Sequence, residues 1–184
     1  MFVQLMKQHN KYFIAIIPPP TVFEKIEEIK QELYSAHKLK GALRSPSHIT
    51  LHRPFEWKAE KEDLLVSTLN DFTFKKNFRI ELKGFDCFQP RVIFVNVLKN
   101  EELNNLHYQL TGYAKRQLGL FNESDDLRGF HPHVTVAFRD LKKQLFYKLW
   151  EQYQQKGFQE SFNYLGFSLL RMENKWERIQ DFVI

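Results

Sequence analysis

The sequence predicts an α+β fold built of two similar lobes in a single domain. Three observations carry that expectation. β-prone apolar runs are interleaved with stretches of helical period, one segment alternates as an antiparallel strand does, and the order of elements occurs twice.

Residues 1–11 read as a loosely held leader. Tyr12 to Ile17 is a continuous apolar, β-prone run stopped by Pro18-Pro19-Pro20, which cannot donate to a ladder. Thr21-Val22-Phe23-Glu24 has the form of a capping box, and Val22, Ile26, Ile29, Leu33 and Ala36 follow at helical spacing. A basic loop with Gly41 and Pro46 then brings Lys38, Lys40 and Arg44 close to Ser47-His48-Ile49-Thr50-Leu51. Residues 60–72 predict a second helix through Leu65, Leu69 and Phe72. Phe78 to Lys83 alternates without a slip, as a strand with one wet face does.

The order then restarts. Residues 91–98 form a β-branched run, and Asn100 can cap a helix that opens on Glu101 and Glu102 and carries Leu103, Leu106, Leu110 and Tyr113 on one side. A polar loop, 119–129, leads to Pro132-His133-Val134-Thr135-Val136. Asp140 is positioned to cap a helix bearing Leu141, Leu145, Leu149 and Tyr153. Residues 162–172 predict one further strand, Asn174-Lys175 a hairpin turn, and 176–184 a closing strand. His133 lies 85 positions after His48, and the same offset carries Leu65 to Trp150 and Ile80 to Leu165. The expectation is one domain over 1–184 whose lobes run over about 12–85 and 91–172, with termini and closing strand exchanged between them.

Composition sets the limits. Hydrophobic residues make up 43% and the formal charge is +5, a globular balance that suits an anionic partner without being polybasic. No stretch approaches a membrane span, and the single cysteine, Cys87, allows no internal disulfide, so a reducing cytoplasm is expected.

Two His-x-Thr pairs among 7 histidines stand only slightly above chance, so their context has to carry the meaning. Each lies in a β-prone run after a strand, a helix and a loop. Strand alternation puts imidazole and hydroxyl on one face, with Ile49, Leu51, Val134 and Val136 in the core. Two imidazoles flanking one bond can act as base and acid near neutrality. Hydroxyls and nearby cations can bind the non-bridging oxygens of a phosphate. The set suits metal-free cleavage of a phosphodiester.

On these motifs, together with Tyr12 to Pro18, the 85–97 region and Phe130-His131-Pro132-His133, the chain resembles the two-histidine (2H) phosphoesterases. That family includes bacterial 2′-5′ RNA ligases and RNA 2′,3′-cyclic phosphodiesterases. The resemblance implies a bilobal, pseudo-twofold fold of two antiparallel-rich sheets lining a central groove, with helices outside and no required metal or cofactor. It makes His48 and His133 the acid–base pair and Thr50 and Thr135 the phosphate donors, with the assignment of acid and base left open. Many relatives carry an arginine where this chain has His131.

The implied partner is RNA or a small nucleotide, with no membrane and no obligatory protein partner. His52 and His131, two residues from the motif histidines, are expected on the groove face, as are Arg44 and Lys40. His131-x-His133 is also a metal-ligand spacing, but no carboxylate is placed consistently beside it. Arg53, Arg91, Arg128 and Arg139 are further phosphate candidates. For Phe55, Trp57, Phe88 and Phe130 base stacking competes with ordinary packing, and His9, His37 and His107 read as ordinary surface or satisfied residues. A groove that binds RNA or nucleotide without turnover is the rival from another class.

Overall fold

The computed structural model describes residues 9–122 and 129–183. β1 (His9–Ile16) carries the first apolar run, and α1 (Pro20–His37) begins directly after the prolines. The expected capping box does not form: Pro19 is the N-cap, without a side-chain bond. A proline inside the first turn already has helical φ and lacks an N–H that would need capping. β2 (Ile49–Lys58) runs beside β1, and α2 (Glu62–Asn70) follows a short 3-10 turn.

β3 (Arg79–Phe88), β4 (Val92–Val97), α3 (Glu101–Leu118) and β5 (His133–Ala137) continue the chain. The Asn100 side chain accepts from the Leu103 N–H, as the spacing predicted, and Gly119, at φ 66°, ends the helix. α4 (Lys143–Tyr153) precedes β6 (Gln159–Asn163), β7 (Gly166–Met172) and β8 (Trp176–Val183).

Two four-stranded antiparallel sheets result, in the orders β2-β1-β7-β8 and β5-β4-β3-β6. The single strand expected over 162–172 is therefore two strands in different sheets. The chain crosses between them at Tyr164-Leu165-Gly166. A Cβ on Gly166 would lie 2.0 Å from the Phe182 carbonyl oxygen, so only glycine allows β7 to approach β8 there. The 85-residue offset consequently fails at this point: Ile80 is buried in β3, whereas Leu165 is 66% exposed in the crossing.

Sheet membership also crosses the repeat. β3, at the end of the first half, joins the sheet of β4 and β5, while β7 and β8 join β1 and β2. α1 packs against β5 and α3 against β2, and β2 touches β5. These crossed contacts bring the two His-x-Thr strands together at one groove. One continuous apolar core, including Ile14, Ile26, Leu51, Val95, Leu106 and Val134, lies between the layers.

Candidate active site

The two motif histidines are held in matching ways. His48 Nδ1 lies 2.7 Å from the Pro46 carbonyl oxygen and His133 Nδ1 lies 2.6 Å from that of His131. In each case the carbonyl two positions earlier takes the Nδ1–H, which selects the tautomer whose lone pair is on Nε2. The rings are supported alike: Phe13 of β1 lies 4.8 Å from His48 and Phe94 of β4 lies 4.7 Å from His133, both tilted by 47°. Trp176 meets Phe13 edge-on at 4.7 Å, and Phe88 meets His133 edge-on at 5.1 Å. Phe13 and Phe94 each sit mid-strand in an apolar run, which in sequence alone reads as core. Only the sheet shows that they carry the imidazoles.

Two adjoining cavities form the groove. One, of about 250 Å³, is lined by Arg44, His48, Thr50, Thr135, Arg139 and Trp176 among others. The second, of about 350 Å³, includes Thr50, Arg53, Phe88, His107, His131 and His133. Thr50 belongs to both. His48, His133, Thr50, Thr135, His131 and Arg44 are thus brought to a common groove.

Two expected members are not. His52 is 1% exposed. Its partner register on β1 jumps from Ala15↔Thr50 to Ile14↔His52, so an extra β2 residue breaks the alternation and turns His52 inward. There its Nδ1 meets the Arg53 carbonyl at 2.8 Å and its ring abuts Phe55. Lys40 lines neither cavity; its backbone N–H donates to Asp140 Oδ2 at 2.6 Å. Asp140 therefore does not cap α4, whose N-cap is Lys142, but ties the loop after β5 to the loop before His48. Gly41 is needed at that junction, since a Cβ would lie 1.9 Å from the Phe138 carbonyl oxygen. Of the other arginines, Arg53 and Arg139 reach the groove, Arg91 lines neither cavity, and Arg128 lies outside the described residues.

A charge pair whose cation is buried and whose carboxylate is partly exposed stands behind His48. Lys30, 2% exposed, donates to Glu27 Oε1 at 2.8 Å and to the Ser45 carbonyl at 3.1 Å. The same Glu27 oxygen accepts from the Ser47 N–H and Oγ–H, each at 2.8 Å. Ser45, Pro46 and Ser47 are thereby pinned in succession, and the Pro46 carbonyl is aimed at His48. The sequence carried one signal for this pair: Lys30 falls four positions after Ile26, on the buried stripe of α1, where an unpaired cation is not tolerated.

Burial lowers the pKa of His48 to about 4, with the positive charges of Lys30 and His133 acting in the same direction against the Pro46 carbonyl and Glu27. The imidazole is therefore neutral at pH 7, with its lone pair on Nε2. His107, read as an ordinary surface or satisfied residue, is a satisfied one: it stacks on Phe130 at 3.8 Å and accepts from Asn122 Nδ2 at 3.2 Å. Burial first, then the His52 charge, lowers its pKa to about 4. Asn122 also accepts from the Arg53 N–H at 2.8 Å, so it ties α3 to β2 at the end of the groove. Among the described residues no three His, Cys, Asp or Glu side chains converge as a metal-ligand set.

No curated protein sequence matches the chain. Its fold is similar to that of Escherichia coli LigT complexed with 3′-AMP, at 21% identity and a TM-score of 0.68 over 96% of this chain and 99% of that one. TT0787 of Thermus thermophilus follows at 20% identity and a TM-score of 0.60, covering 94% and 97%. The MHV ns2 PDE domain is more distant, at 16% identity and a TM-score of 0.54, covering 90% and 98%. Residues 18–176, from the prolines before α1 to the start of β8, match the family model of the 2′-5′ RNA ligase superfamily, and the chain belongs to that superfamily of 2H phosphoesterases.

Proposed function

We propose that the protein is a metal-independent phosphodiesterase acting on 2′,3′-cyclic phosphates or 2′-5′ linkages of RNA or nucleotides. The observation that supports this most is the matched pair of imidazoles, each with Nδ1 committed to a carbonyl and so with Nε2 as the nitrogen that exchanges a proton, at a groove that both threonines line. Membership of the superfamily and the 3′-AMP complex of the LigT neighbour support a nucleotide or RNA substrate.

In this reading the neutral His48 is the base. Its Nε2 takes a proton from water as the water oxygen bonds to phosphorus. The P–O3′ bond breaks, and protonated His133 gives its Nε2 proton to the departing 3′ oxygen, leaving a 2′-phosphate. Thr50 and Thr135 donate to the non-bridging oxygens, and Arg44 offsets their charge. With a 5′-hydroxyl in place of water, the same proton transfers join a 2′-5′ linkage. The single cysteine points to a reducing cytoplasm as the setting.

The test is turnover of a 2′,3′-cyclic nucleotide in the presence of chelator. The reading expects product with the unmutated protein and none with His48→Ala or His133→Ala. Binding without turnover by the unmutated protein overturns it in favour of a nucleotide-binding module, and turnover abolished by chelator overturns the metal-free chemistry.

A further inference from the structure

His107 and Asn122 stand between two cavities. Both residues line the cavity that contains His133, and both also line a larger cleft of about 710 Å³ along α3. The cleft presents aromatic rings to solvent: Tyr108 is 77% exposed and Phe121 58%. Lys115 places its ammonium 4.9 Å over the Phe121 ring, and Arg116 lies on the same wall. Against these two cations the lining holds one carboxylate among the described residues, Asp71. Neither Lys115 nor Arg116 forms an ion pair among the described residues.

Exposed rings interleaved with cations are the surface chemistry of single-strand recognition, since every base has a face to stack and every linkage a charge to neutralise. Another large cleft, of about 600 Å³ beside the start of α1 and β8, has a different balance. There Glu24 and Glu177 offset Lys175 and Arg178, and Glu27 is already paired with Lys30, so no cationic excess is left for a polyanion.

We propose that the α3 cleft holds the single-stranded RNA leading away from the reacting phosphate, so that the protein acts on oligoribonucleotides in preference to mononucleotides. This rests on the function proposed above and specifies its substrate. A 2′,3′-cyclic phosphate closes the 3′ end of a strand, so the remaining nucleotides continue in the 5′ direction only and need a single exit from the groove. His107 and Asn122 stand at the exit, and Tyr108 and Phe121 supply stacking surfaces beyond it.

The test compares a 2′,3′-cyclic mononucleotide with a short single-stranded oligoribonucleotide ending in the same group. The unmutated protein should show the higher kcat/KM on the oligonucleotide. Tyr108→Ala and Lys115→Glu should each lower that value by about tenfold and leave the mononucleotide value unchanged, and the Lys115 variant should also flatten the salt dependence. Equal loss on both substrates, or no loss on the oligonucleotide, overturns the proposal; the second result leaves the cleft to a protein partner. If neither substrate turns over, the function fails separately, and fluorescence anisotropy of a labelled oligoribonucleotide decides the cleft. Binding lost in Tyr108→Ala and Lys115→Glu but kept in His48→Ala supports it, and any other pattern sinks it.

Discussion

Replacing Glu27 by alanine removes the one oxygen that serves Lys30 Nζ, the Ser47 N–H and the Ser47 hydroxyl together. Lys30 is then a cation at 2% exposure with a single carbonyl for company. Stranding one member of a buried pair costs about 3–5 kcal/mol. Lys30 has an escape, because it can release its proton. From an ordinary lysine pKa near 10.4 that costs at most about 5 kcal/mol at pH 7. Burial already lowers the Lys30 pKa while Glu27 opposes the shift, so the variant loses its only opposing charge.

We therefore expect a loss of about 3 kcal/mol in urea unfolding at pH 7. The unfolded chain holds the lysine proton up to about pH 10, whereas the folded variant gives it up earlier, so the variant should gain on the unmutated protein as pH rises. Glu27→Ala/Lys30→Met, which removes both charges, should recover much of the loss. A cost below about 1 kcal/mol, or a double variant no more stable than the single one, refutes the idea that buried Lys30 and its partner Glu27 organise the 45–47 turn.

Other outcomes follow from the same geometry. His48 and His107 bind protons more weakly folded, near pH 4, than unfolded, near 6.5, so their contribution is whole above 6.5 and is lost as pH falls towards 4. Acid unfolding should show a loss of up to about 3 kcal/mol per histidine across that window, checked by urea titration at several pH values. The acid limb of the kcat/KM profile should lie well below 6.5, because it reports the base of the free protein; a limb at or above 6.5 removes His48 from that role. Gly41→Ala should destabilise by about 2 kcal/mol, since its Cβ would meet rigid backbone at 1.9 Å, and calorimetry measures this directly. Asn100→Ala should cost about 1 kcal/mol through loss of the 3.0 Å cap on Leu103, read from the same scans.

Most of the groove was legible because local rules applied to it. Strand alternation predicted one face for His48 with Thr50 and for His133 with Thr135, and all four line the two cavities of the groove, although His48 itself stands just before β2; the alternation failed at His52, where a bulge adds a residue to β2 that no spacing announces. Asp140 read as a helix cap for the same kind of reason. A carboxylate three residues before a helix has a local use, but Lys40 and Gly41, 100 and 99 positions away, compete for it and win. His107 looked unremarkable because its partners, Phe130 and Asn122, come from beyond its own helix.

By itself the sequence determined the succession of strands and helices, the two His-x-Thr pairs and the positive charge near them. Each of these depends on residues within a few positions of one another, where periods of 2 and 3.6 act directly. Only the tertiary structure decided which sheet each strand joins, that Phe13 and Phe94 support the two imidazoles, and that Lys30 and Glu27 hold the turn before His48. Those outcomes depend on which distant surfaces bury each other, and the free energy of that burial is a property of the packed pair rather than of either segment.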